Sequence, residues 1–168
     1  MNLLYYLDRT LHKIIICTKA PEDLYDYLIK KIDDVEIHYE GFIPEFQKMN
    51  KGENALIIFD DLVLDKNTQI AEMFIRGRKL GYSLIFISQS YYSINPKIIR
   101  QNVNYIFLGR GLHKRDLNTI LGEFAMGLEK EELEKLYSSL TREQMNFMFI
   151  DFLKRNIRHN ITDIILEF

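Results

Sequence analysis

The sequence predicts an α/β protein: a mostly parallel sheet with helices on both faces. Two observations carry this. Short runs such as Ile14-Ile15-Ile16, Ala55 to Phe59 and Leu84 to Ile87 are apolar without interruption, as strands buried on both faces are. These runs alternate along the chain with stretches of helical spacing, the order of a parallel sheet built by crossovers. A third observation points to a site. Ala55-Leu56-Ile57-Ile58-Phe59 ends abruptly in Asp60-Asp61, and Tyr82 to Ile87 ends in Ser88-Gln89-Ser90. Ligands of open α/β sheets bind beyond the carboxyl ends of the strands.

The elements follow in order. Leu3, Leu4, Leu7 and Leu11 recur at helical spacing, so residues 2–10 read as the end of an amphipathic helix. Lys13 to Thr18 is a β-branched strand. Pro21-Glu22-Asp23 opens a helix reaching Ile32, with proline and acids in the first turn. Val35 to Tyr39 is a short strand, Gly41 to Asn50 a loop, and Lys51 to Asn54 a turn. Ala55 to Phe59 is a buried strand. Asn67 to Leu80 is a helix that Gly81 closes. Tyr82 to Ser88 is a second buried strand, Pro96 to Gln101 a helical turn, and Tyr105 to Leu108 a strand. His113 to Leu121 and Lys130 to Leu140 are helices. Phe147 to Asp151 is a strand, Lys154 to Asn160 a basic tail, and Ile161 to Phe168 an added edge strand.

The totals bound the protein class. A chain of 168 residues makes one domain, residues 1–168, with a real core. Hydrophobic residues make up 47% and charged residues 27%, so the chain is globular rather than disordered. A net charge of −2 gives no overall basic coat for nucleic acid. The single cysteine, Cys17, excludes an intrachain disulfide and reads as a buried thiol. The apolar runs are too short for a membrane span, and no cationic segment precedes the first apolar residues as in a signal peptide.

Asp60-Asp61 is the central motif. One strand-end carboxylate can face a magnesium ion through water, and the next can polarise an attacking water. The structural alternative is that the acids cap the helix that follows. Gln89, at the end of a neighbouring strand, adds an amide that can sense a terminal phosphate and hold the water. Arg76 and Arg78 lie on the helix between these strands. Arg76 sits four residues after Glu72, the spacing of a surface ion pair. Arg78 is the arginine that could reach a neighbouring subunit's phosphate, with Arg100 a further candidate. Gly109-Arg110-Gly111-Leu112-His113-Lys114 imitates a phosphate loop but is too short and lacks a following hydroxyl. Lys154, Arg155 and Arg158 could meet DNA phosphates or solvate a strand edge. The four histidines lack metal-ligand spacing.

Taken together, Phe59-Asp60-Asp61-Leu62-Val63, Phe74-Ile75-Arg76-Gly77-Arg78-Lys79-Leu80-Gly81, Ile87-Ser88-Gln89-Ser90-Tyr91 and Ile94-x-Pro96-Lys97-Ile98-Ile99-Arg100-x-Asn102 resemble the virion DNA-packaging ATPases of poxviruses and other large DNA viruses. That family lies within the FtsK/HerA superfamily of P-loop ATPases. The resemblance implies a P-loop NTPase-like domain of the ASCE/RecA type. It implies that Asp60 is the Walker B acid on the magnesium side, Asp61 the water-polarising acid, Gln89 the sensor and Arg78 an arginine acting between subunits. It also implies Mg2+ and ATP as cofactors of the complete protein. The implied partners are double-stranded viral DNA, further copies in a homo-oligomeric ring, and capsid or other packaging proteins. The implied location is host cytoplasm and virion.

One family feature is missing. No Gly-x-x-x-x-Gly-Lys-Ser/Thr occurs in the chain. In the family that loop precedes a helix like Asn2 to Asp8, and its strand lies between the Gln89 strand and the Tyr105 strand. The expectation is therefore a motor domain lacking its first core strand and phosphate loop, inactive as a single chain. A mis-called start, a split gene and a degenerate paralogue that binds DNA or a motor partner all fit. A flavodoxin-like signalling domain with an acidic pocket is the remaining alternative.

Overall fold

A computed structural model describes residues 11–45, 48–62, 67–91, 101–124 and 127–168. The helix expected at 2–10, the turn from Pro96, and Val63 and Arg100 lie outside these residues. The expected α/β class is observed. The chain divides into two compact units, Met1–Asn102 and Val103–Phe168.

The first unit holds a four-stranded parallel sheet in the order β2-β1-β3-β4. Its strands are β1 (Lys13–Cys17), β2 (Val35–His38), β3 (Ala55–Asp60) and β4 (Ser83–Ile87). Side chains of successive strand residues point to opposite faces, and both faces here are apolar. Ile14, Ile16, Leu56 and Ile58 pack against Tyr25 and Leu28 of α1 (Asp23–Lys31). Ile15, Cys17, Ala55, Ile57 and Phe59 pack against Ile70, Ala71 and Met73 of α2 (Asn67–Leu80). Continuous apolar runs were thus legible as strands because each covers two helices at once. Cys17 is fully buried, and that burial pushes its thiol up to about 12.

The ends of the helices obey local chemistry. Asp23 and Asp26 occupy the first turn of α1, and Lys30 and Lys31 its last, which complements the helix dipole. At the end of α2 the Tyr82 N–H bonds the Gly77 carbonyl at 3.1 Å and the Gly81 N–H bonds that of Arg78 at 3.2 Å. This is a Schellman turn, and it requires the left-handed φ of +90° that Gly81 adopts. The Leu80 carbonyl then accepts the Gly52 N–H at 2.8 Å, fastening the helix end beside the start of β3.

The second unit is a four-stranded antiparallel sheet, β5-β6-β7-β8. It contains β5 (Tyr105–Gly109), β6 (Phe147–Asp151), β7 (Asn156–His159) and β8 (Asp163–Glu167), with helices α3 (Lys114–Glu123) and α4 (Lys130–Leu140) between β5 and β6. The parallel order therefore belongs to the first half of the chain only. β7 corrects the expected basic tail: residues 156–159 are a paired strand. The reason lies in the turn before it. Asp151 Oδ1 accepts the N–H groups of Leu153 and Lys154 at 3.0 and 2.9 Å, and Arg155 takes a left-handed φ of 53°. A hairpin made by an aspartate and an arginine carries no glycine or proline to announce it. The edge strand expected within Ile161 to Phe168 is present as β8. The strands at the Gln89 and Tyr105 positions, β4 and β5, are terminal strands of their respective sheets.

Candidate functional site

The carboxyl end of β3 carries the acid pair. Asp60 continues the strand, paired in register with Ile87 of β4. It falls on the same face as Leu56 and Ile58, the face covered by α1. There the Tyr25 hydroxyl donates a hydrogen bond to Asp60 Oδ2. The next residue leaves the strand: Asp61 has a φ of 50°, and its N–H bonds the Ile87 carbonyl at 3.2 Å. Aspartate tolerates this left-handed conformation better than most side chains. The kink gives adjacent acids different settings, Asp60 half-buried and held, Asp61 exposed.

Gln89 lies just past β4, two residues beyond the partner of Asp60. Ser88 Oγ accepts the Ser90 N–H at 3.2 Å and donates to the Ser90 carbonyl at 2.9 Å. The two serines fold a local turn of the kind serine side chains favour, and Gln89 between them is exposed. Asp60, Asp61 and Gln89 are therefore brought to the carboxyl end of the parallel sheet by adjacent strand ends.

Arg78 is not brought there. It is exposed in the last turn of α2, next to the amino ends of the strands. A helix of 14 residues spans about 21 Å, so the arginine and the acids of one chain sit at opposite ends of the sheet. Arg76 makes the expected surface pair with Glu72 at 2.9 Å.

Several of the remaining candidates have structural partners. In the Gly109 loop the Tyr137 hydroxyl donates to the Gly109 carbonyl at 2.8 Å and accepts the Leu112 N–H at 3.2 Å. Arg158 is held on its sheet: it bonds Asp151 Oδ2 at 3.0 Å, Asn156 Oδ1 at 2.9 Å and the Ile161 carbonyl at 3.1 Å. Its guanidinium also lies 5.2 Å from the centre of the Phe149 ring. Lys154 and Arg155 are exposed in the β6–β7 turn. His38 bonds Glu36 at 2.7 Å and rests against Phe42, and among the described residues no three His, Cys, Asp or Glu side chains form a metal cage. Two hard carboxylate oxygens donors without a cage suit a cation that keeps most of its waters and completes its shell with phosphate oxygens, as Mg2+ does.

Sequence reasoning missed Tyr25. It stands 35 residues before Asp60 and reads as one more apolar position of an amphipathic helix. Nothing in the linear order signals the contact.

The parallel sheet, its two helical covers and the polar strand ends define a P-loop NTPase-like α/β fold. The fold is similar to that of solved structures of a viral genome-packaging NTPase. In a solved structure of the genome packaging NTPase B204 from Sulfolobus turreted icosahedral virus 2 with AMPPCP, the match covers 94% of this chain and 86% of that one, with TM-score 0.63 and 16% identity. B204 described as the DNA-packaging ATPase from Sulfolobus turreted icosahedral virus matches at TM-score 0.64 and 16% identity, over the same shares. The complex of B204 with ATP-gammaS matches at TM-score 0.57 and 14% identity. No family model and no curated protein matches the chain. Among the described residues no helix is long and apolar enough to cross a membrane.

Proposed function

We propose that these residues form the central and C-terminal part of a viral DNA-packaging motor ATPase that couples ATP hydrolysis to movement of double-stranded DNA into a capsid. The observation that carries the proposal is the acid pair at the end of β3, split into a held Asp60 and an exposed Asp61, with Gln89 on the next strand end. The shared fold with B204, solved with ATP analogues, supports it. In this reading Asp60 would help hold Mg2+ through a water, and Asp61 would polarise the water that attacks the terminal phosphate. Gln89 orients that water. Bound Mg2+ would draw charge from the phosphates during transfer. Arg78 acts on the nucleotide of an adjacent subunit in a homo-oligomeric ring, since its own acids are out of reach. Lys154 and Arg155 are the exposed cations offered to DNA. The 168 residues contain no Walker A motif, so in this reading the phosphate grip comes from polypeptide outside them. The domain is one motor domain in function, working in the infected host's cytoplasm and in the virion, with capsid or other packaging proteins as partners.

A non-catalytic reading, a paralogue or split-gene subunit that binds DNA or a motor partner, rests on the same missing motif. One set of measurements separates the two. The 168-residue chain alone is expected to turn over ATP far below about one per second, because acids and an amide stabilise a phosphate already held and do not grip it. Joined to a segment that bears the phosphate loop, the chain is expected to hydrolyse ATP. In that protein Asp61→Asn should leave nucleotide binding nearly intact and remove most turnover, since it changes a group needed in the transition state. Asp60→Asn should also weaken magnesium-dependent binding. Turnover untouched by both changes would overturn the motor reading.

A further inference from the structure

We propose that Tyr25 is the positioning residue of the acid pair, bonding Asp60 Oδ2 so that Oδ1 is the oxygen left for a cation-bound water. This inference rests on the assignment of Asp60 as the cation-side acid. Three observations place the phenol in that role. Its ring is 4% exposed, packed with Leu28 against Ile14, Ile16, Leu56 and Ile58, so the hydroxyl has little freedom to leave. The hydroxyl donates to one carboxylate oxygen only, and that oxygen belongs to the last residue of β3. Thr18, 5% exposed just past β1, donates its hydroxyl to the Ala20 carbonyl at 3.3 Å and lies near enough to the phenol to act on it. The phenol thereby links the end of β3 to the first turn of α1.

The chemistry favours such a link. A strand-end aspartate has two equivalent oxygens and rotates freely between them. A donor fixed on one oxygen removes that freedom before the cation arrives, and a preset ligand binds with less ordering cost. The phenol carries no charge, so it orients the carboxylate without neutralising it as a lysine or arginine would. A packing role alone would need only the ring.

The test uses the 168-residue chain and Mn2+ as the probe, read by paramagnetic broadening of the amide resonances around Asp60 and Asp61. The wild type is expected to show saturable broadening there, and Asp60→Asn to abolish it. Tyr25→Phe, which keeps the ring, is expected to weaken Mn2+ binding about three- to tenfold, the range of a hydrogen bond to a charged group. The double variant should be no weaker than Asp60→Asn alone. A second measurement leaves Tyr25 in place: Mg2+ should shift the Tyr25 Cζ resonance in the wild type and not in Asp60→Asn. Should Asp60→Asn lose the broadening while Tyr25→Phe keeps wild-type affinity, or the Cζ resonance ignore Mg2+, Tyr25 only packs and this inference fails alone. Should Mn2+ leave the wild type unaffected, or broaden Asp60→Asn equally, the assignment of Asp60 fails and the role of Tyr25 falls with it.

Discussion

Two arginines of similar appearance in the sequence have opposite settings. Arg78 is exposed, with its head group in solvent. Arg158 is committed to a nearly buried aspartate, Asp151, and to an aromatic face. One of its two readings from sequence, a phosphate contact in a basic run, competes with that commitment. Removing one partner of a buried ion pair leaves the other charge unpaired, which costs far more than a surface pair is worth. Arg158→Ala is therefore expected to destabilise the protein by about 3–5 kcal/mol in denaturant unfolding. Lys154→Ala and Arg155→Ala are expected to stay within about 0.5 kcal/mol of the wild type. Equal small effects at all three positions would show that the Arg158 pair contributes little. Cys17 illustrates the opposite case at this scale. Its burial was legible because a lone cysteine in a β-branched run is most simply a small apolar side chain.

Helix ends and turns set which residues face the site. The Schellman turn after α2 was legible in Gly81, since only glycine is comfortable at that φ. The tertiary contact was not: a Cβ at Gly81 would sit 3.2 Å from Asn54 Oδ1, whereas one at Gly52 would meet nothing within 4 Å. Gly52 has a φ of 85°, nearly the same backbone strain. Gly81→Ala is expected to cost about 1–2 kcal/mol from conformation alone, and more than Gly52→Ala when the two are compared by thermal unfolding. A Gly52→Ala cost equal to that of Gly81→Ala would mean that Asn54 moves aside freely. At the other end of the scale, β7 escaped the sequence because its turn is built from Asp151 and Arg155. An aspartate without glycine or proline is a weak turn signal, and a run containing two arginines, a lysine and a histidine looks solvated.

At the scale of the molecule, function in the proposed ring depends on joining groups that one chain keeps apart. The acids lie at the carboxyl ends of the parallel strands and Arg78 at their amino ends. An arginine acting across a subunit boundary is worth roughly 10³–10⁵ in rate. In the protein joined to a phosphate loop, Arg78→Ala is expected to lose hydrolysis at that scale while its unfolding curve is unchanged. Mixing it with Asp61→Asn is expected to recover part of the steady-state turnover, because some interfaces then pair an intact arginine with an intact acid. Near-normal turnover from Arg78→Ala alone would return the side chain to a solvated helix face. An inactive mutant that no mixing ratio rescues would place its action within its own subunit.

The strand runs, the helix start just after Pro21, the stop at Gly81 and the polar ends at Asp60-Asp61 and Ser88-Gln89-Ser90 could be read from the chain, because each follows from neighbouring residues. Propensity, capping and two-sided burial act over a few positions. The antiparallel pairing of the second unit, the ion pair of Arg158 with Asp151 and the bond from Tyr25 to Asp60 could not. They join residues far apart in sequence, and no local preference distinguishes a tyrosine that packs from one that also holds a carboxylate. The parallel register of β1, β3 and β4 decides that α1 covers the face on which Asp60 lies. That register, rather than any motif, makes Tyr25 its neighbour.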